Sequence, residues 1–162
     1  MFVRIEFFAK HSGHPMSTFT SLHYHIVFST KERRPQIAED WRSRLHEYIG
    51  GTVNGLAGQS QQVGGVADHV HLLLGLRTTH CLADVMRELK RQTSVWVHQE
   101  IGLKSFGWQE GYAAFTVSAD NRAGVIKYIS NQEEHHRKRS FREELKAMLD
   151  RAGVEYEDKY LD

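Results

Sequence analysis

A chain of 162 residues, 40% of them hydrophobic and 25% charged, carries enough apolar side chain for one buried core, which excludes a disordered or fibrous protein. The formal net charge of +1 does not single out a nucleic-acid binder, yet the charges are unevenly spread: Lys31, Arg33 and Arg34, then Arg87, Lys90 and Arg91, then Arg137, Lys138 and Arg139 are basic clusters, and the C-terminal end is acidic. The single cysteine, Cys81, excludes a disulfide framework, no stretch is apolar enough to span a bilayer, and Arg4 and Glu6 interrupt any secretory core, so the expectation is a soluble cytoplasmic protein.

Residues 1–16 match the rest poorly and read as an N-terminal extension, with Met16 as the expected native start; 17–150 read as one domain and 151–162 as an acidic tail. Leu22 to Thr30 alternates as a first strand, with Leu22, Tyr24, Ile26 and Phe28 on one face. From Ile37 the period changes to helical through Trp41, Leu45, Ile49 and Val53, ending near Gly58. Gln59 to Ala67 reads as a second strand, after which Asp68 sits at a bulge or tight turn, or the strand runs straight on. Leu82 to Ile101 is an amphipathic helix stopped by Gly102, and Tyr112 to Ser118 a further strand. Asp120 or Asn121 caps a helix containing Tyr128 and Gln132, and a last helix runs from Phe141 to Leu149. The order β-α-β-β-α-β predicts an α+β fold, a ferredoxin-like antiparallel sheet with helices on one face and room for a site on the other, plus a C-terminal helix carrying Tyr128.

The stretch Asp68-His69-Val70-His71-Leu72-Leu73-Leu74 lies at the centre of this pattern. On a strand, His69 and His71 point to one face with Cα atoms about 6.7 Å apart, close enough to converge on one metal ion. Alternation along a half-buried strand produces the same pair, and a bare H-x-H carries little information. On the later helix, Tyr128 and Gln132 are four residues apart and share a face. Tyr128 equally suits the apolar stripe of Val125 and Ile129.

Taken in order, Leu22-His-Tyr-His-Ile-Val-Phe-Ser-Thr-Lys-Glu-Arg-Arg34, Asp68-His-Val-His-Leu-Leu73, Gly107-Trp-Gln-Glu-Gly-Tyr112 and Tyr128-Ile-Ser-Asn-Gln132 resemble the single-tyrosine HUH transposases, the family named after insertion sequences two hundred and six hundred and five. The resemblance implies a DNA strand transferase acting on single-stranded ends folded into hairpins. It makes Tyr128 the nucleophile, and His69 and His71 ligands of a divalent ion with Gln132 as the third. It also implies a homodimer, often with one subunit's tyrosine helix completing its partner's histidine site, and a cytoplasmic protein found at the nucleoid when bound to DNA. Glu133 and Glu134 are possible competitors of Gln132. Mixed nitrogen and oxygen ligation suits Mn2+, or Mg2+ with waters completing the shell.

Attack by Tyr128 on a phosphodiester would leave a 5′-phosphotyrosine and a free 3′-hydroxyl, a step that a second 3′-hydroxyl can reverse without ATP. A phenol of ordinary pKa about 10 needs help to lose its proton, and the sequence names no base for it. For DNA contact the candidates are Lys31, Arg33, Arg34, Arg87, Lys90, Arg91, Arg137 and Lys138, with Trp108, Tyr112 or Phe106 for base stacking; Trp41 and Trp96 read as core. Two other readings stay open. One is a domesticated hairpin-binding module of the same fold without mobility. The other is a metal-dependent hydrolase, for which the sequence offers no third histidine or carboxylate at zinc-enzyme spacing.

Overall fold

The computed structural model describes residues 18–137 and 139–161; the expected extension over 1–16 and the candidate Lys138 lie outside the described residues. Strand β1 (His23–Ser29) pairs antiparallel with β3 (His69–Gly75), which pairs antiparallel with β2 (Gln59–Gly65), while β4 (Ala113–Thr116) pairs antiparallel with the other edge of β1. The sheet order is therefore β2-β3-β1-β4, the ferredoxin-like arrangement that the sequence predicts. Helix α1 (Glu39–Gly55) joins β1 to β2, and α2 (Leu82–Trp96) joins β3 to β4.

Residues directly opposite in an antiparallel ladder share a face. The register sets Ile26 against Leu72 and Phe28 against Val70, and one residue on it sets Val27 against His71 and Ser29 against His69. The first set, with Leu74, packs on Ile37, Trp41, Leu45, Ile49 and Val53 at and before α1, and on Met86 and Leu89 of α2, forming the main core. The second set faces the other way, where Leu73, Val117 and Ile129 make a smaller apolar cluster.

That second face is the one on which the sequence places a site. It is covered by α3 (Arg122–Ser130), α4 (Gln132–His136) and α5 (Phe141–Ala152). The expected single helix through Tyr128 and Gln132 is broken at Asn131, whose φ of −104° and ψ of 23° leave the helical region, in keeping with the tendency of asparagine to compete with helical backbone. Asn121 occupies the N-cap position of α3 without a side-chain bond, after a short 3-10 turn over Ala119–Asn121. Helix α5 starts on a capping box, with the Ser140 hydroxyl accepting from the Glu143 amide and the Glu143 carboxylate accepting from the Ser140 amide, and runs past the expected Leu149 to Ala152. The second strand stops at Gly65 rather than Ala67, because the Val66 amide bonds back to the His69 carbonyl at 3.1 Å and closes a tight turn. Among the described residues no helix is long and apolar enough to cross a membrane.

Two adjacent glycines permit this geometry. Gly65 has φ +155°, and a Cβ there would lie 2.3 Å from the His69 carbonyl oxygen. At Gly64 a Cβ would lie 2.3 Å from the Ile129 carbonyl oxygen, so α3 rests directly on β2 backbone. Gly64→Ala is expected to lower stability by about 1–3 kcal/mol through overpacking, read as a fall in Tm of about 2–4 °C per kcal/mol. Gly51→Ala, at an exposed α1 position with nothing within 4 Å, is expected to raise Tm instead.

Candidate functional site

Strand β3 projects His69 and His71 onto the face covered by α3 to α5, where both are 0% exposed and their ring centroids are 5.2 Å apart. Each imidazole is held through Nδ1. His71 Nδ1 lies 2.9 Å from His25 Nε2, and His69 Nδ1 lies 2.7 Å from Asp68 Oδ1. With the protons on those Nδ1 atoms, each Nε2 keeps a lone pair, and neither Nε2 has a hydrogen-bond partner. Burial, the largest effect on both, pulls the His25 pKa down to about 3 and the His71 pKa down to about 4, so both rings are neutral near neutral pH.

Helix α3 places Tyr128 over this pair, with its ring centroid 5.8 Å from His71 and 5.9 Å from His25. The Tyr128 hydroxyl donates to Oε1 of Glu144, which α5 delivers to the site. Burial first, and then that carboxylate, push the Tyr128 pKa well above the usual phenol value. Glu144 is 7% exposed. Its Oε2 pairs with His136 Nε2 at 2.9 Å and lies 3.6 Å from His71 Nε2 and 3.9 Å from His69 Nε2. Burial opposes its charge, but His136 and His71 outweigh burial and hold the carboxyl far below its ordinary value. The same carboxylate overcomes the burial of His136 and raises that imidazole's pKa.

Gln132 is buried beside them. Its amide oxygen accepts from His136 Nε2 at 3.1 Å, and its amide nitrogen donates to Glu144 Oε1 at 3.3 Å. The expected competitors stay on the surface, Glu133 bonded to Arg42 at 2.9 Å and Glu134 to Arg137 at 3.4 Å. One ligand atom from each of His69, His71, His136 and Glu144 lies within 4.8 Å of the others. Two buried imidazole nitrogens without partners, facing a carboxylate oxygen, are costly unless something satisfies them, and two imidazole nitrogens with a carboxylate oxygen are a donor set that fits a divalent cation.

The sequence reading brought Tyr128, His69, His71 and Gln132 forward, and the structure gathers all four in one chain. It missed Glu144 and His136. The available signal is Glu144 itself, a carboxylate on the apolar stripe of α5 between Phe141 and Leu145; His136, next to the basic run at Arg137, carries no such signal. Phe141 stacks on His69 with ring centroids 4.3 Å apart, and the Arg33 guanidinium lies over the outer side of the same cluster, 5.9 Å from the Phe141 centroid.

The candidate DNA contacts are scattered. Lys31 and Arg33 lie on a 3-10 turn after β1, with Arg34 following it and paired with Glu32. Arg87 pairs with Asp84 at 2.8 Å and Arg91 with Glu88 at 2.6 Å. Lys90 donates to the carbonyls of Gln109, Glu110 and Gly111, and burial lowers its pKa to about 8. Of the aromatic candidates, Phe106 is core, Trp108 is half-buried, packing on Phe28 and Phe106 while donating to Thr93 Oγ1 at 2.9 Å, and Tyr112 is exposed. Trp41 and Trp96 belong to the core or pack against it, as expected.

The family described as IS200-like transposases matches residues 18–132, from just before β1 to Gln132. The chain is 27% identical over 121 residues to the ISDra2 transposase TnpA of Deinococcus radiodurans, covering 70% of this chain and 85% of that protein. It is 27% identical over 117 residues to the transposase for insertion sequence element IS200 of Salmonella typhimurium, covering 68% of this chain and 76% of that protein. Its fold is similar to that of a REP-associated tyrosine transposase bound to a REP hairpin, with a TM-score of 0.56 and 16% identity over 78% of this chain and 74% of that one. A match that runs through all four strands and ends on the helix break beside the tyrosine shows that the chain belongs to the IS200-like transposases, a family of DNA transposases.

Proposed function

We propose that this transposase cleaves and rejoins single-stranded DNA at hairpin-bearing element ends through a 5′-phosphotyrosine, with Tyr128 as nucleophile and a divalent cation, Mg2+ or Mn2+, held at His69 and His71 with Gln132 beside them. The observation that carries this reading is the placement of the Tyr128 ring against His71, whose Nε2 is buried and without a partner. The hairpin in the related structure supports the choice of DNA.

In the reaction Tyr128 Oη forms a bond to phosphorus, the P–O3′ bond breaks, the phenolic proton leaves Tyr128, and the departing 3′-oxygen takes up a proton. Bound at the histidines, a divalent cation supplies charge stabilisation at the phosphoryl oxygens. His25 and Asp68 fix the ring orientation and tautomer of His71 and His69. Glu144 holds the Tyr128 hydroxyl next to them. Arg33, one ring away from His69 across Phe141, and Arg137, on the cleft that also carries Gln132, are basic candidates beside the site, and they are proposed to hold the DNA backbone.

His136 and Glu144 also give the hydrolase reading the third histidine and carboxylate that the sequence lacked. Labelled single-stranded DNA from the genomic flanks, incubated with Mn2+ and run on a denaturing gel, separates the readings. The expected result is a covalent adduct that disappears with chelator and in Tyr128→Phe. Cutting by Tyr128→Phe would instead favour the hydrolase, and tight hairpin binding with no adduct in any metal would favour the domesticated module.

His25→Ala is expected to raise the Mn2+ concentration for half-maximal adduct by about tenfold or more, since orienting partners of metal-bound histidines typically contribute 10–100-fold. The reading includes the homodimer that the resemblance implies, which gel filtration tests. Because Tyr128 meets His71 within one chain, mixing His69→Ala with Tyr128→Phe is expected to recover no adduct; recovery would show that subunits share their sites.

A further inference from the structure

Helix α5 lies beyond the residues that the family match covers, and it places a carboxylate where an apolar side chain belongs. The capping box at Ser140 and Glu143 sets where α5 begins, so that Phe141, Glu144 and Leu149 are its buried positions. Burying an ionised carboxylate among such neighbours is costly unless it is fully used. One oxygen of Glu144 is used by Tyr128 and Gln132. The other, Oε2, is paired with His136 Nε2 at 2.9 Å and faces the two unpartnered Nε2 atoms of His71 and His69 at 3.6 and 3.9 Å.

Those separations are too long for hydrogen bonds, but they come close to the spacing of neighbouring ligand atoms around one cation. With bonds of about 2.1 Å, adjacent donors sit about 3.0–3.4 Å apart, so a closure of a few tenths of an ångström suffices. The other donors proposed so far, two imidazoles and an amide, are uncharged. The nearby Asp68 carboxylate is turned to His69 Nδ1. Glu144 therefore brings the anionic, hard oxygen that Mg2+ and Mn2+ prefer.

We propose that Glu144 is a direct ligand of the divalent cation, entering the shell through Oε2 while Oε1 holds the Tyr128 hydroxyl, so that one carboxylate from α5 couples the nucleophile to the cation site. The inference rests on the reading that a cation binds at His69 and His71. Its consequence is that α5, although outside the family match, is part of the metal centre.

The test is Mn2+ binding by the full chain without DNA, measured by calorimetry. The expected result is that His69→Ala/His71→Ala abolishes binding and Glu144→Gln raises the Kd at least tenfold. If the double variant binds Mn2+ as the native protein does, the cation reading itself fails. If the double variant loses binding while Glu144→Gln keeps its affinity, only the present proposal fails. A second measurement needs no variant: infrared difference spectra of the native chain, with and without Mn2+, after labelling glutamate carboxyl groups with carbon-13. A shifted, label-sensitive carboxylate stretch is expected. Its absence would reduce Glu144 to a nearby charge paired with His136 and overturn the proposal, whatever Glu144→Gln does to affinity.

Discussion

The ladder between β1 and β3 pairs Val27 with His71 and Ser29 with His69, while the intervening pairs, Ile26 with Leu72 and Phe28 with Val70, go into the main core. Side chains on a strand alternate with a period of two, so a slip of one residue would bury the imidazoles under α1 and α2 and turn the leucines toward Tyr128. What prevents the slip is apolar burial. Leu72, Val70, Leu74 and Ile26 are all 0% exposed, and each such side chain stabilises the fold by about 1.5–3 kcal/mol. A single hydrogen bond in the polar cluster contributes about 0.5–1.5 kcal/mol. The hydrophobic face thus decides the register, and the chemistry of the opposite face follows from it.

Covering that opposite face changes the groups it encloses in opposing ways. Burial keeps His25 and His71 neutral, so that His25 Nε2 can accept from His71 Nδ1 while His71 Nε2 keeps a lone pair suited to metal ligation. The same burial, reinforced by Glu144, makes the Tyr128 proton harder to remove. A site closed in this manner is better at binding a cation than at ionising its own nucleophile. Positive charge brought close to a phenol in poorly screened surroundings has the required magnitude, since unit charges about 4 Å apart interact by about 4 kcal/mol at an effective dielectric of 20, equivalent to about three pKa units. The two halves of the constellation are therefore chemically dependent on each other, quite apart from their proximity.

Those parts of this arrangement that rest on local periodicity were legible in the sequence. The alternation in β3 separates His69 and His71 from Val70 and Leu72, and the change from period two to helical spacing after Pro35 marks the first crossover. Less legible were features decided by contacts distant along the chain. Helical periodicity carries Tyr128 to Gln132 without interruption, whereas the backbone leaves the helical region at Asn131. The bond of Trp108 to Thr93 and its contact with Phe28 join three separate elements and leave no local signal in the loop that carries the ring. Glu144 stood in plain view as a charge on an apolar stripe, but its meaning depends on Tyr128 and His71, which only the tertiary fold brings to it.

The break at Asn131 explains how so short a C-terminal segment completes the cluster. An uninterrupted helix rises 1.5 Å per residue, so His136 would lie about 12 Å farther along the axis than Tyr128. With the helix broken at Asn131, the His136 ring comes to 4.4 Å from that of His69, and its Nε2 reaches both Gln132 and Glu144. Helix α5 then returns with Glu144 against the Tyr128 hydroxyl and Phe141 against His69. Gly64 fixes the starting point of this path, because only a residue without Cβ lets the α3 carbonyl at Ile129 sit on β2. Sheet and helices are consequently interlocked at both ends of the site, through backbone contact at Gly64 and ring stacking at Phe141, and a displacement at either end would move the tyrosine relative to the histidines.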